Sequence, residues 1–329
     1  MNIIITGGAG FIGSHLTEYI SKIKKIKRII IIDNLNDGSK KNLSNALKSS
    51  KVKLVKADIR RLKSIIKYFR NIDVVVHLAA MSDIVPSIEE PIEYLETNFN
   101  GTLNILEAMK KNKVNKIVYA ASSSCYGIPK KTPTRENDQI NTMYPYAFSK
   151  YIGEQLISHY QRVYKINYLS LRLFNVYGTR SRTNSAYGAA LGVFLKQKLE
   201  NKPFTVVGNG NQRRDFVHVK DVCDAFKKAI FSNLKNEIFN VGFGTPKSVN
   251  ELTKFIGGKK IFIPKRPGEP SITHANITKI KSKLKWKPKI TLKEGVDDVL
   301  KNISYWKNSI LWDKNKIEKA TKNWFKYLK

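Results

Sequence analysis

The chain has 329 residues, 42% of them hydrophobic, a length that buries a full core and a composition that excludes global disorder. Its 59 Lys and Arg against 26 Asp and Glu give a formal net charge of +33, which favours nucleic acid, an anionic membrane surface or another acidic partner. Only Cys125 and Cys223 are present, in no C-x-x-C spacing, and the five histidines are scattered, so neither a disulfide framework nor a metal site is expected.

The start, Met1-Asn2-Ile3-Ile4-Ile5-Thr6, lacks the basic region and longer apolar stretch of a signal peptide, and no later run approaches membrane-spanning length. A soluble cytoplasmic protein is expected. Ile3-Ile4-Ile5 reads as a strand, followed by Gly7-Gly8-Ala9-Gly10-Phe11-Ile12-Gly13 and a helix from about Ser14 to Ile20. Glycines in that place let the backbone turn tightly and approach a pyrophosphate, which then sits on the positive helix N-terminus. The basic run Lys22 to Arg28 follows this helix, where cations complement its C-terminal dipole. Lysines recur along the whole chain without interleaved stacking aromatics, so the charge reads as a solvated surface rather than a dedicated nucleic-acid or membrane face.

Ile29 to Ile32 forms the second strand and ends at Asp33, 20 residues after Gly13. A carboxylate there accepts hydrogen bonds from adenosine ribose hydroxyls and repels a 2′-phosphate, which favours NAD over NADP; it also suits an Asx cap for the loop Asn34-Leu35-Asn36-Asp37-Gly38, and the two roles are compatible. Further short β-branched runs follow at Val52 to Val55, Val74 to Val76, Ile117 to Tyr119 and Leu169 to Leu171, alternating with helical stretches. This rhythm predicts an α/β fold with a Rossmann-like, doubly wound parallel sheet.

After about residue 178 the rhythm becomes irregular, with turn-rich pieces such as Gly208-Asn209-Gly210-Asn211 and Pro264 to Gly268. We expect a dinucleotide-binding domain over 1–177, with 215–243 returning to it, and a smaller, discontinuous substrate domain from 178–214 and 244–329. The tail from Val299 carries Trp306, Trp312, Trp324 and Phe325 among lysines, which suits an amphipathic helix for a partner or membrane surface, though a C-terminal helix packed on its own domain is the favoured expectation.

Tyr146-Ala147-Phe148-Ser149-Lys150 places a phenol and an ammonium four residues apart, on one face of a helix that Pro145 begins. A neighbouring Lys⁺ and a cationic nicotinamide both favour the phenolate, which can then take a proton from a sugar hydroxyl. Ser122, in Ala121 to Gly127 at the end of the fifth strand, lies where such sheets bind ligands and can bond the same hydroxyl.

The Gly-rich turn, His77-Leu78-Ala79-Ala80, the serine strand and Tyr146 with Lys150, in this order, resemble the extended short-chain dehydrogenase/reductases, notably UDP-glucose and UDP-N-acetylglucosamine 4-epimerases. Later matching segments are Leu171 to Gly178, Gly208 to Phe216, and Arg266-Pro267-Gly268-Glu269-Pro270. The resemblance implies that Ser122, Tyr146 and Lys150 are catalytic, with Lys150 also gripping the nicotinamide ribose. It implies NAD lined by Gly7, Gly10, Phe11, Ile12, Gly13, Asp33, Asn34 and Leu78, Ala79 and Ala80, with Asp58 and Ile59 flanking the adenine and Asn98 bracing the site. Asn98 equally suits a packing role inside a helix. The UDP-sugar would meet Ser122, Ser123 and Ser124; Asn175, Arg214 and Arg266 would hold its diphosphate, and Glu269 its uridine ribose. An internal salt bridge of Arg214 to Asp215 or Asp221 is the competing reading.

The implied reaction is C4 epimerisation through a transient 4-keto sugar and bound NADH. Relatives that dehydrate carry an Asp-Glu pair where this chain has Ser123 and Ser124, and decarboxylases keep a Glu at the second position, so both chemistries lose ground. Thr273 aligns with the place where a bulky Tyr excludes N-acetyl sugars, which leans towards N-acetylhexosamine tolerance. Arg180 and Arg182, near the expected site entrance, keep UDP-glucuronate as an alternative. A basic binding module without turnover is the non-enzyme rival, opposed by the intact Ser122, Tyr146 and Lys150. The resemblance also implies a homodimer through the Tyr146 helix and a long helix from about Ile92 to Lys111.

Overall fold

In a computed structural model, which describes residues 1–181 and 190–328, seven parallel strands form one sheet. The first six in chain order are β1 (Asn2–Thr6), β2 (Arg28–Asp33), β3 (Val52–Lys56), β4 (Val74–His77), β5 (Lys116–Ser122) and β6 (Asn167–Leu173). The seventh, Glu237–Val241, adds beside β6, giving the spatial order Glu237–Val241, β6, β5, β4, β1, β2, β3. The chain runs outward in both directions from β1 and β4, so the sheet is doubly wound, as its βα rhythm predicts.

The continuous isoleucine runs are explained by burial on both faces. Ile3, Ile5, Ile29 and Ile31 point into one core with Leu16, Ile20, Val222 and Phe226 from the helices Phe11–Ser21 and Val219–Phe231. Ile4, Ile30 and Ile32 point into the other, with Ile105, Met109 and Ile157. Alternate residues of one strand therefore serve opposite cores, and every position is apolar. Six of these seven isoleucines, Ile3, Ile4, Ile5, Ile29, Ile31 and Ile32, are wholly buried.

A third core gathers Phe194, Leu195, Phe204, Val249, Leu252, Val296 and Trp306 around the helices Ala190–Leu199, Val249–Ile256 and Leu292–Lys301. The last two helices open with complete capping boxes, Ser248 with Glu251 and Thr291 with Glu294, the reciprocal pairing that satisfies two orphan amides at each start. The tail departs from the single C-terminal helix expected of it. It breaks into Ile303–Trp306, Lys314–Ala320 and Lys322–Tyr327, with Asp313 accepting from the Lys316 amide at 2.8 Å to restart the helix. Its last piece lies against the helix Ile84–Glu89 rather than on the third core. Among the described residues, no helix is long and apolar enough to cross a membrane.

Candidate active site

The turn after β1 is held by its own glycines. Gly7 has φ +68°, and a Cβ there would stand 2.6 Å from the Ala79 amide nitrogen; one on Gly13 would stand 2.7 Å from the Gly8 Cα. No side chain fits at either place. Gly10 caps the helix Phe11–Ser21 in extended conformation, so the helix opens with its free amides at the C-terminal edge of the sheet. Phe11 meets His15 edge-on at 6.1 Å. Asp33 accepts from the Ala9 amide at 2.9 Å and from Leu35 at 2.8 Å, so the loop-capping role is present and ties β2 to the glycine turn.

Leu78 and Ala79, just beyond β4, donate their amides to the Thr6 hydroxyl at 3.2 Å each, which fixes the strand ends beside the turn; Ala80 continues that loop, half-buried. Asp58 follows β3 and pairs with Arg60 at 2.7 Å. Burial opposes its ionisation, but hydrogen bonds from Arg60 and Asn34 outweigh that and hold the carboxyl below its usual range. Ile59 is buried beneath Gly101. Gly7, Gly10, Gly13, Asp33, Asn34, Asp58 and Ile59 thus share one edge of the sheet.

Asn98 sits on a π-helical turn, Glu96–Asn100, that joins the helices Pro91–Leu95 and Gly101–Lys111. Such turns displace a residue from the regular ladder, often where a site needs it. Its amide accepts from Met81 N at 2.8 Å, donates to Met81 O at 3.0 Å, and donates to Ser149 Oγ at 2.9 Å. Asn98 therefore braces the loop after β4 against the Tyr146 helix.

Pro145 starts the helix Pro145–Tyr164, which brings Tyr146 beside Ser122 at the end of β5. One turn on, Lys150 is buried, its ammonium 4.2 Å from the centre of the Tyr119 ring. The helix comes this close because Gly153 faces the Tyr119 hydroxyl, 2.8 Å from where a Cβ would lie. Burial drives the Lys150 amine down to about 7, opposed by Glu154. Burial also raises the Tyr146 phenol, against the lowering influence of Ser122, with Asp83 and Cys125 adding to the rise. Desolvation is the largest influence on the phenol.

Ser122 Oγ accepts from the Ser124 amide at 3.2 Å, while the Ser124 side chain lies beside the buried Tyr144 phenol; Ser123 begins the same short turn, Ser123–Tyr126. Arg214 pairs with Glu269 at 2.7 Å and donates to the Pro270 carbonyl at 2.9 Å. The competing pairing with Asp215 or Asp221 is absent: Asp215 accepts from the amides of Phe243, Gly244 and Ala275, and Asp221 from those of Lys289 and Ile290. Beside Arg214 and Glu269 opens a cavity of about 340 Å³, also lined by Gly208, Gln212 and Lys265. Arg266 is buried nearby in sequence. Thr273 donates to Asn175 Oδ1 at 2.9 Å and accepts from Asp215 N at 3.2 Å.

Arg180 is placed elsewhere than expected. It pairs with Glu18 at 2.6 Å on the helix Phe11–Ser21, so it is committed to an ion pair rather than waiting at a site entrance; Arg182 lies outside the described residues. Sequence reasoning missed Tyr119, Tyr144 and Asp83, which surround the Tyr146 helix. None carries a spacing signal, since each meets its partner through the fold.

The sequence pattern described as "NAD dependent epimerase/dehydratase family" matches residues 3–242. A protein of Methanocaldococcus jannaschii, provisionally named UDP-glucose 4-epimerase, is 41% identical over 93% of this chain and 99% of its own length. The crystal structure of Thermotoga maritima UDP-glucose 4-epimerase with UDP-glucose superposes with TM-score 0.83 at 32% identity, covering 93% of this chain and 99% of that one. The Bacillus cereus UDP-glucuronic acid 4-epimerase, solved with UDP-glucuronic acid and NAD, superposes with TM-score 0.85 at 30% identity, covering 93% and 99%.

Proposed function

The chain belongs to the NAD-dependent epimerase/dehydratase family, and from that premise we propose that it inverts C4 of a neutral UDP-hexose, UDP-glucose/UDP-galactose or the N-acetylglucosamine/N-acetylgalactosamine pair. The observation that carries this reading is the meeting of Ser122 and Tyr146 at the C-terminal edge of the sheet, with Lys150 one turn along and serines, not carboxylates, at 123 and 124.

The glycine turn supports NAD as the resident cofactor, because bare backbone, with no room for a side chain at Gly7 or Gly13, opens onto the N-terminus of the helix Phe11–Ser21. Gly10, Phe11, Ile12 and the helix amides would hold its pyrophosphate, Asp33 and Asn34 its adenosine ribose, Asp58 and Ile59 its adenine, and Lys150 its second ribose. When bound, NAD supplies a hydride acceptor that later returns the hydride, and a positive ring charge near the phenol.

In this reading Tyr146 takes the proton from the sugar O4′ and Ser122 holds the same oxygen by a hydrogen bond. The 4-keto sugar turns over within the site, and Tyr146 gives the proton back to O4′ on the inverted product. Arg214 and Arg266 would keep the diphosphate in place meanwhile, with Asn175 beside them and Glu269, held by Arg214, at the uridine ribose. A side chain as small as Thr273 supports acceptance of an acetamido group. Commitment of Arg180 to Glu18 weighs against a C6 carboxylate, and the serines at 123 and 124 weigh against dehydration or decarboxylation.

We further propose the domain division 1–177 with 215–243, and 178–214 with 244–329, and a homodimer through the helices at 91–111 and 145–164. Ile92, Phe148 and Val163 there are 71%, 47% and 51% exposed, apolar surface that pairing would cover. The test of function is to incubate the purified protein with UDP-glucose, UDP-N-acetylglucosamine and UDP-glucuronate separately and resolve the products by ion-pair chromatography. Equilibration of a neutral hexose with its C4 epimer is expected; turnover of UDP-glucuronate alone would overturn the substrate assignment.

A further inference from the structure

The proposed reaction leaves the tail without a task, yet its last helix is pinned by one residue. Trp324 is the buried member of Lys322–Tyr327, at 1% exposure in a segment otherwise rich in lysine. An indole buried this way needs an acceptor for its N–H, and Trp324 Nε1 donates to the Pro267 carbonyl at 2.7 Å. Its ring meets the Tyr144 ring at 6.0 Å and 41°, and the Tyr144 phenol is buried beside Ser124, just beyond the serine strand.

The segment Pro264 to Pro270 contains three prolines, none of which can donate a backbone hydrogen bond. Gly268 within it takes φ +69°, and a Cβ there would lie 3.8 Å from Leu328, the residue after the last helix. The loop is instead gripped by its carbonyls: Pro270 from Arg214 at 2.9 Å and Pro267 from Trp324. Between those two anchors lie Gly268 and Glu269, and Arg266 directly precedes them. On its other side the last helix reaches the dinucleotide half, where Asn323 donates to Glu89 at 3.3 Å.

We infer that Trp324 is a positioning residue for the nucleotide part of the substrate: it fastens the Arg266 to Pro270 loop to Tyr144, so that Arg266 and Glu269 stand preformed beside the cavity. The C-terminal helix is thereby part of substrate binding and no part of the chemistry at C4. This inference rests on the UDP-sugar reading above.

The test uses the full-length protein with its bound dinucleotide and three forms: wild type, Trp324→Phe, which keeps a ring and loses the N–H, and Trp324→Ala, which loses both. UDP affinity is measured by calorimetry, KM and kcat with the active UDP-sugar, and dinucleotide content by absorbance. We expect KM and the UDP dissociation constant to rise about fivefold in Trp324→Phe, the size of one neutral hydrogen bond, and further in Trp324→Ala. Values of kcat and dinucleotide content should stay within about twofold, since uniform binding alone is lost. UDP affinity unchanged in Trp324→Phe and in any folded Trp324→Ala, or a fall in kcat at constant KM, would overturn the inference while leaving the substrate reading intact. Wild type unable to bind UDP would remove both. If Trp324→Ala does not fold, Trp324→Phe decides.

Discussion

Replacing Lys150 with Met should make the protein more stable and inactive at once. The Lys150 ammonium is 4% exposed, and burial lowers its pKa from 10.5 to about 7. Because the folded chain binds this proton less tightly than the unfolded chain, the penalty is full below pH 7 and fades as the pH climbs towards 10.5. Such a displacement corresponds to roughly 4–5 kcal/mol at the acid end, and the Tyr119 ring, 4.2 Å away, returns about 1–2 kcal/mol of it. The methionine variant should therefore gain about 2–3 kcal/mol near pH 6.5. With an unfolding entropy of roughly 2 cal/mol/K per residue over 329 residues, that is a rise in Tm of about 3–4 °C. Differential scanning calorimetry of dinucleotide-stripped protein at pH 6.5 and 9.5 is the assay. The advantage of the variant should shrink at the higher pH. A variant less stable than wild type at pH 6.5, or a gap indifferent to pH, would refute the reasoning that Lys150 is held there at the expense of stability.

Gly13→Ala sets a Cβ against the Gly7 carbonyl and the Gly8 Cα, so the purified variant should carry less than about a tenth of the wild-type dinucleotide, a loss above about 1.4 kcal/mol, read by absorbance after denaturation. Arg214→Met removes the guanidinium that holds Glu269 and the Pro270 carbonyl; UDP affinity should fall about tenfold to a hundredfold, the range for hydrogen bonds to charged groups, with dinucleotide content unchanged in the same samples. Phe148→Glu puts a charge on the proposed pairing face, and sedimentation at micromolar concentration should show a dimer for wild type and a monomer for the variant.

What the sequence makes legible follows from local rules. The strands β1 and β2 announce themselves because both faces are buried, so Ile3-Ile4-Ile5 and Ile29 to Ile32 need no alternation. The glycine turn, Asp33 and the four-residue spacing of Tyr146 and Lys150 are equally local, and Ser122 is found from the end of its strand. What stays hidden depends on partners distant in the chain. Arg214 meets Glu269 across 55 positions and Arg180 meets Glu18 across 162, and neither pairing has a period to betray it. The tail misleads for a related reason. Its aromatic spacing resembles one helical stripe, but Trp306 donates to Ser181 and Trp324 to Pro267, and two such distant acceptors require a broken path. Burial, too, is a property of the fold, so the rise of the Tyr146 phenol cannot be read from the adjacent lysine in the sequence.

The central claim is that hydrogen leaves the sugar at C4 and returns to the same carbon from the opposite side. A UDP-hexose deuterated at C4, incubated with the protein in ordinary water and without added NAD, tests it most directly by mass spectrometry and NMR of the product. The account predicts an epimer that keeps its deuterium at C4, and no epimer from Tyr146→Phe. Deuterium washed out into solvent, or full turnover by the phenylalanine variant, would contradict it.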